Sequence, residues 1–228
     1  MSSLDPFASM MSIPGVGEAL LETVEAINQV QRRPQALRQS EVISSMSLLR
    51  GASTLAAQAG QKVADAVHVY VVASPELVDA TVRTFQRAPL QVIADLDRRA
   101  GGTSFPIAYG ERVQALGAVI NRVFTHPGGT VNGDRLLPLL VAAEISSYEV
   151  FGNRSEIVAT VASRICAVAT GLDPRGITVP ELYTNRHRAD YAAAQEDWRA
   201  GRLGPLLIHL ARAWQAGAKE AQGIIASL

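Results

Sequence analysis

The chain has a single cysteine, no excess of either charge, few aromatic residues and no long apolar run, and each shortage removes a class of protein. One cysteine, Cys166, cannot build an intrachain disulfide framework, and its apolar, periodic surroundings mark it as a small core residue with no base nearby to make it a nucleophile. Twenty-one Lys and Arg balance 21 Asp and Glu, so no global field attracts nucleic acid or an anionic membrane surface. The longest apolar stretch, "LLPLLVAA", is too short to span a bilayer, and the start "MSSLDPFASMMSIPG" lacks a basic segment followed by an apolar one. A reducing cytoplasm is therefore the expected location. The four histidines, His68, His126, His187 and His209, show neither metal-ligand spacing nor a carboxylate pattern, so no metal site is expected.

What is present is helical punctuation. Hydrophobic residues make up 48% of the 228 residues, enough to bury one sizeable core. Leu20, Val24, Ile27 and Val30 or Gln31 recur at steps of three and four, as do Val42, Met46 and Leu49 after a start at Ser40-Glu41. "VHVYVVASPEL" is the one stretch where a strand competes. There Ser74-Pro75-Glu76 predicts a helix from Pro75, with Val78, Val82 and Phe85 inward. Leu90, Ile93 and Leu96 form a further stripe, "GGTSFPIAYG" a loop, and Val113, Leu116, Ile120 and Phe124 another helix. The stretch from Leu136 to about Ser147 is apolar on nearly all sides and predicts an enclosed central helix. Ser155-Glu156 predicts the cap of a helix that ends at Gly171, followed by helices from Pro180 to Ala200 and from Leu203 onward. Residues 1–14 are read as an N-terminal segment and 15–228 as one all-α domain.

Three stretches bear on chemistry. "THPGGTVNGDR", Thr125 to Arg135, could wrap backbone N–H groups around a phosphate at a helix start, or be a turn in which Gly, Asn and Asp satisfy the geometry. "TNRHRADY" offers Arg186, His187 and Arg188 as an anion patch or as a solvated charged face. Arg164 stands inside an otherwise apolar helix, where a guanidinium requires a carboxylate or phosphate partner.

From Ala142 the sequence reads "AAEISSYEVFGNRSEIVATVASRICAVATGLDPRGITVPELYTNRHRADYAAAQEDW", with "RTFQRAPLQVIADLDRR" upstream. In the order of these elements it resembles the Fic/Doc-fold family, in particular a divergent actinobacterial-type group, over about three quarters of the chain. The resemblance implies an all-α, Fic-like helical bundle. Fic enzymes transfer AMP from ATP to a protein hydroxyl through His-Pro-Phe-x-Asp/Glu-Gly-Asn-Gly-Arg-x-x-Arg. In that signature the His is the general base, the acid holds the metal, and the glycine-rich loop with its first Arg cradles phosphate. Anchored on Phe151, the His falls on Glu149, the Pro on Val150, the acid on Asn153, the Asn on Ser155 and the arginines on Ile157 and Thr160, so only the Phe survives. A deletion keeps Gly152-Asn153-Arg154 as a remnant phosphate loop, still without the His or the acid. Gly152, Asn153, Arg154, Ser155 and Arg164 are thus the expected nucleotide- or anion-binding residues.

On this alignment "HPGGTVNGDR" lies one helix too early and is read as a decoy; otherwise His126 is the base and Asn132, Gly133 and Arg135 the phosphate loop. Glu149 and His126 are the only catalytic candidates, and a carboxyl at its ordinary value near ~4.3 is a far weaker base than a histidine. One Fic class carries an inhibitory Ser/Thr-x-x-x-Glu; here Thr54 is in place and Gln58 stands where the glutamate would be. "GGTSFPIAYG" is too short for the usual target-docking hairpin flap, which is expected to be reduced or absent. The expectation is a noncatalytic, Fic-like pseudo-enzyme that recognises a protein or a nucleotide and engages a protein partner, with a homodimer also open. The alternative is an active or altered nucleotidyltransferase, which alone would call for ATP and magnesium as cofactors.

Overall fold

The computed structural model describes residues 6–126 and 132–228. Thirteen α-helices account for most of these residues, and none of them lies in a strand. The helices are α1 Pro6–Met11, α2 Val16–Gln31, α3 Pro34–Arg38, α4 Ser40–Ala59, α5 Val63–Tyr70, α6 Val78–Arg87 and α7 Pro89–Arg99 in the first half. α8 Gly110–Thr125, α9 Gly133–Ser147, α10 Ser155–Thr170, α11 Glu181–Arg186, α12 Arg188–Arg199 and α13 Gly204–Ala226 follow. The protein is all-α. The segment 101–109 forms no hairpin, and no described helix is long and apolar enough to cross a membrane.

Helices α9 and α10 form the centre. All of α9 except Asp134, Arg135 and Glu144 is buried, as its continuous apolar character predicts, and α10 buries ten residues from Ser155 to Ala167. The seven-residue link between them folds α10 back along α9, so the pair runs antiparallel and the Ser163 hydroxyl donates to the Pro138 carbonyl at 2.8 Å. Around this pair α2 packs on α13, where Thr23 donates to the Ala211 carbonyl at 2.7 Å. α1 adds Phe7 to the core from within the N-terminal segment.

The loop from Gly171 to Pro180 is held from inside. Buried Asp173 accepts from the Ile177 and Thr178 amides, the Thr178 hydroxyl and the Gln31 amide nitrogen. Every lone pair of a buried carboxylate needs such a donor, and this loop supplies three of them locally.

Three local expectations are corrected. The buried face of α4 is Ile43, Ser44, Ser47, Leu48, Gly51, Ala52, Leu55 and Ala56, while Val42 and Leu49 are exposed, because small residues let α11 approach closely on that side. A Cβ on Gly51 would stand 2.6 Å from a Glu181 carboxylate oxygen. Pro75 opens a turn, not a helix: the Ser74 carbonyl accepts from the Leu77 and Val78 amides, and α6 starts at Val78. The single helix expected from Pro180 to Ala200 breaks at His187, whose ψ of 40° ends α11 and opens α12. The competing strand around "VHVYVV" is the end of α5 followed by a 3-10 turn over Val71–Ala73.

Candidate functional site

The link between α9 and α10 carries most of the residues that the sequence pointed to. Glu149 has a left-handed backbone, φ 46°, and its carbonyl accepts from the Gly152 amide at 2.7 Å, which closes a tight turn over buried Val150 and Phe151. Gly152 is constrained twice: its φ is 62°, and a Cβ there would meet Ile107 Cδ1 at 2.9 Å. The loop segment 101–109 is joined here through Ile107 N–H, which donates to the Val150 carbonyl at 2.8 Å. Ser155 does not cap α10. Its hydroxyl accepts from the Phe151 amide at 2.8 Å and is spent on tying the turn, so among the described residues no side-chain cap is found at the positive end of the helix.

That end opens into a cleft of about 590 Å³, a size typical of small-molecule sites. Asn153, Arg154, Glu156 and Ile157 line it from the head of α10, Leu55 and Gln58 from the end of α4, Asp65 and His68 from α5, Arg99 and Gly101 from the end of α7, and Arg188 from the start of α12. Three guanidinium groups, Arg99, Arg154 and Arg188, therefore converge from the end of α7, the head of α10 and the start of α12.

Their charges are not equally available. Arg154 Nε lies 2.8 Å from Oδ1 of Asp97, which is fully buried and also accepts from the Ser104 amide at 3.0 Å. Arg99 pairs with Asp95 at 2.6 Å. Arg188 is exposed. Gln58 Oε1 is buried and meets no donor among the described residues.

Glu156 stands between the cleft and a small cavity behind it that reaches Glu181 and Tyr191. Burial pushes its carboxyl up to about 7, against the opposing pull of the Tyr191 hydrogen bond and the Arg188 charge. Tyr191 Oη lies 3.3 Å from Glu156 Oε2 and 3.0 Å from Ser146 Oγ, and burial followed by the Glu156 charge raises the phenol well above its usual range. His209 stacks on the Tyr191 ring at 5.2 Å; desolvation first, and then the charge of His187, lower it to about 4, so it is neutral.

The remaining predicted residues are distributed as follows. Arg164 is buried away from the cleft, with Nη1 2.9 and 3.1 Å from the two oxygens of Glu181 and Nη2 2.7 Å from Ser47 Oγ. A carboxylate partner, the other possibility for an arginine in an apolar helix, is what it has. Thr54 donates to the Arg50 carbonyl of its own helix. Arg186 pairs with Glu220, and His187 stacks on Tyr183. Glu149 is exposed and does not line the cleft. His126 is exposed at the end of α8, its ring 3.0 Å from the Thr125 hydroxyl. Asn132 precedes α9 with a left-handed φ of 59°, and Gly133 and Arg135 open that helix. Pro127 to Val131 of the same stretch lie outside the described residues. This end of α9 is separated from the α10 head by the length of a 15-residue helix, about 22 Å.

Sequence reading missed Glu156, Asp97 and Arg188 as members of one site. A glutamate after a serine at a helix start reads as an ordinary first-turn acid, and only the fold brings Tyr191 against it. Among the described residues no three His, Cys, Asp or Glu side chains are grouped to hold a metal ion. No family model, no characterised protein and no solved structure matches this chain.

Proposed function

We propose that the protein is a noncatalytic, Fic-like recognition protein whose cleft at the α10 head binds the phosphates of a nucleotide. The observation that carries this reading is the convergence of Arg154 and Arg188 on an uncapped helix start in a cleft of about 590 Å³. Gln58 adds selectivity. Its buried, unpartnered Oε1 asks for an N–H or O–H donor, which a ribose or a base has and an ionised phosphate lacks.

Group transfer would need a base beside the bound phosphates. Neither Glu149 nor His126 lines the cleft, which favours binding over transfer by these two candidates. Phe105, Ile107 and Tyr109, exposed by 72%, 65% and 52% on the loop that meets Gly152, give a partner protein an apolar foothold beside the cleft. Recognition of a nucleotide and of a protein would then share one rim.

Titration calorimetry with ATP, ADP and AMP plus magnesium tests the reading. Wild-type protein is expected to bind. Arg188→Ala, an exposed change that spares the fold, is expected to weaken ATP by about ten- to a hundredfold, and Arg154→Ala by as much, with the folded fraction checked by melting. No heat from wild-type protein at millimolar nucleotide would overturn the proposal. ATP-dependent labelling of a protein that is abolished by Glu149→Ala or His126→Ala would overturn its noncatalytic half.

A further inference from the structure

The cleft that collects Arg154, Arg188 and His68 also contains a carboxyl group, Glu156, set in the first turn of the helix whose positive end would receive an anion. An ionised carboxylate there competes with an incoming phosphate for the same helix end and the same Arg188. A neutral carboxyl does not compete, and it can donate a hydrogen bond to a phosphate oxygen.

Burial in the wall between the cleft and the cavity behind it favours the neutral form of Glu156, and its polar neighbours only partly oppose it. Tyr191 from α12 has one proton and two acceptors within reach, Ser146 Oγ at 3.0 Å and Glu156 Oε2 at 3.3 Å. Shared between two acceptors and longer to Glu156, the phenol proton stabilises the ionised carboxyl only weakly against the burial that favours the neutral acid. Arg188, also on α12, favours the ionised form, and Arg154, already committed to Asp97, adds less. Tyr70 of α5 and Glu181 of α11 lie behind, the latter neutralised by Arg164; His209 of α13 is neutral behind the Tyr191 ring; Gln58 of α4 is uncharged. His68 and Asp65 of α5 and Arg99 of α7 complete the charged lining, with Arg99 paired to Asp95.

We propose that the cleft takes its phosphate ligand together with one proton, held on Glu156, so that Glu156 is an anion-binding residue in its acid form and an electrostatic gate in its ionised form. This rests on the reading of the cleft as a phosphate site and adds to it the state in which that site is open. Because burial places the carboxyl of the free protein at about 7, the gate operates at neutral pH. Phosphate binding raises it further, so protons are taken up on binding and affinity falls as pH rises.

The test is calorimetry with ATP on wild-type protein and Glu156→Gln, an uncharged near-isostere. From pH 6 to pH 8 the dissociation constant of the wild type is expected to rise about tenfold more than that of the variant. The variant still contains His68 and sees the same titration of ATP, so the difference isolates Glu156. Repeating the wild-type titration at pH 7 in buffers of different ionisation heat is expected to show uptake of about half a proton that the variant lacks. Parallel pH dependence in the two proteins, with equal proton uptake, overturns the gate and leaves the cleft as a phosphate site. Absence of ATP binding in both proteins at both pH values overturns the phosphate site, and the gate with it.

Discussion

The pair Arg164–Glu181 offers the sharpest test of how the centre of this fold is held. Arg164 is 3% and Glu181 0% exposed in side chain, and the guanidinium spends two contacts on the carboxylate, one on Ser47 and one on the Gly176 carbonyl. Tyr70 donates to the same carboxylate at 2.9 Å, and burial, with the Glu181 charge second, raises its phenol well above the usual value. In Arg164→Met this carboxylate keeps one neutral donor and no countercharge. Stranding a buried charge costs about 3–5 kcal/mol, roughly a fifth or more of the stability of an ordinary domain. Replacing both partners, Arg164→Met with Glu181→Leu, removes the stranded charge and is expected to cost less than the single change, because the pair's attraction only offsets its own desolvation. Urea unfolding of the four proteins measures this, with equal slopes required for the comparison. A single-mutant loss below about 1 kcal/mol, or costs that simply add, would refute the reasoning. Unchanged ATP affinity of the folded variant would separate Arg164 from the anion site; a lost affinity would return it there.

Two further outcomes follow from close contacts. Gly217→Ala would place a Cβ 2.8 Å from the backbone of Val179 and Pro180, in a loop that Asp173 fixes from inside; a loss of about 2–4 kcal/mol is expected, read as a fall of roughly 5–15 °C in melting temperature, and a shift below 2 °C would mean that the loop yields. Asp97→Asn keeps an acceptor for the Ser104 amide but removes the charge that occupies Arg154. Stability should fall while ATP affinity rises about three- to tenfold, and a drop in affinity instead would contradict the account of Arg154 as a partly neutralised ligand group.

Much of the helix plan was legible because its signals are local. The stripe of α2, the all-round apolarity of α9 and the left-handed Gly171 that ends α10 follow directly from residue spacing and backbone preference. The face of α4 was misread for a physical reason. Large apolar residues at 42 and 49 outweigh Ser47, Gly51 and Ala52 in any periodicity, yet the small residues are buried because another helix comes close there. The site was legible only where it is continuous in the chain. Gly152 to Arg154 could be picked out, but the carboxylate of Arg154 lies 57 residues away on α7 and the phenol beside Glu156 lies 35 residues away on α12. Separations of that kind leave no trace in spacing.

The two buried ion pairs also explain why a cleft persists at the head of α10. Arg154 at the front of the helix is bound to Asp97 on α7, and Arg164, ten positions on, to Glu181 on α11. Tilting or sliding α10 would break one pair or the other and strand a carboxylate that is 0% exposed, at a cost of several kcal/mol. Apolar contacts alone would tolerate small slides, since they are non-directional. The helix start, the turn tied by Ser155 and the flanking guanidinium are thereby held in one arrangement before any ligand arrives. On the proposed reading, ordering costs on binding would be correspondingly small. On that reading, what remains adjustable in the cleft is the charge of Glu156 and the rotamer of exposed Arg188, and selection among ligands is expected to act through those two groups more than through movement of the fold.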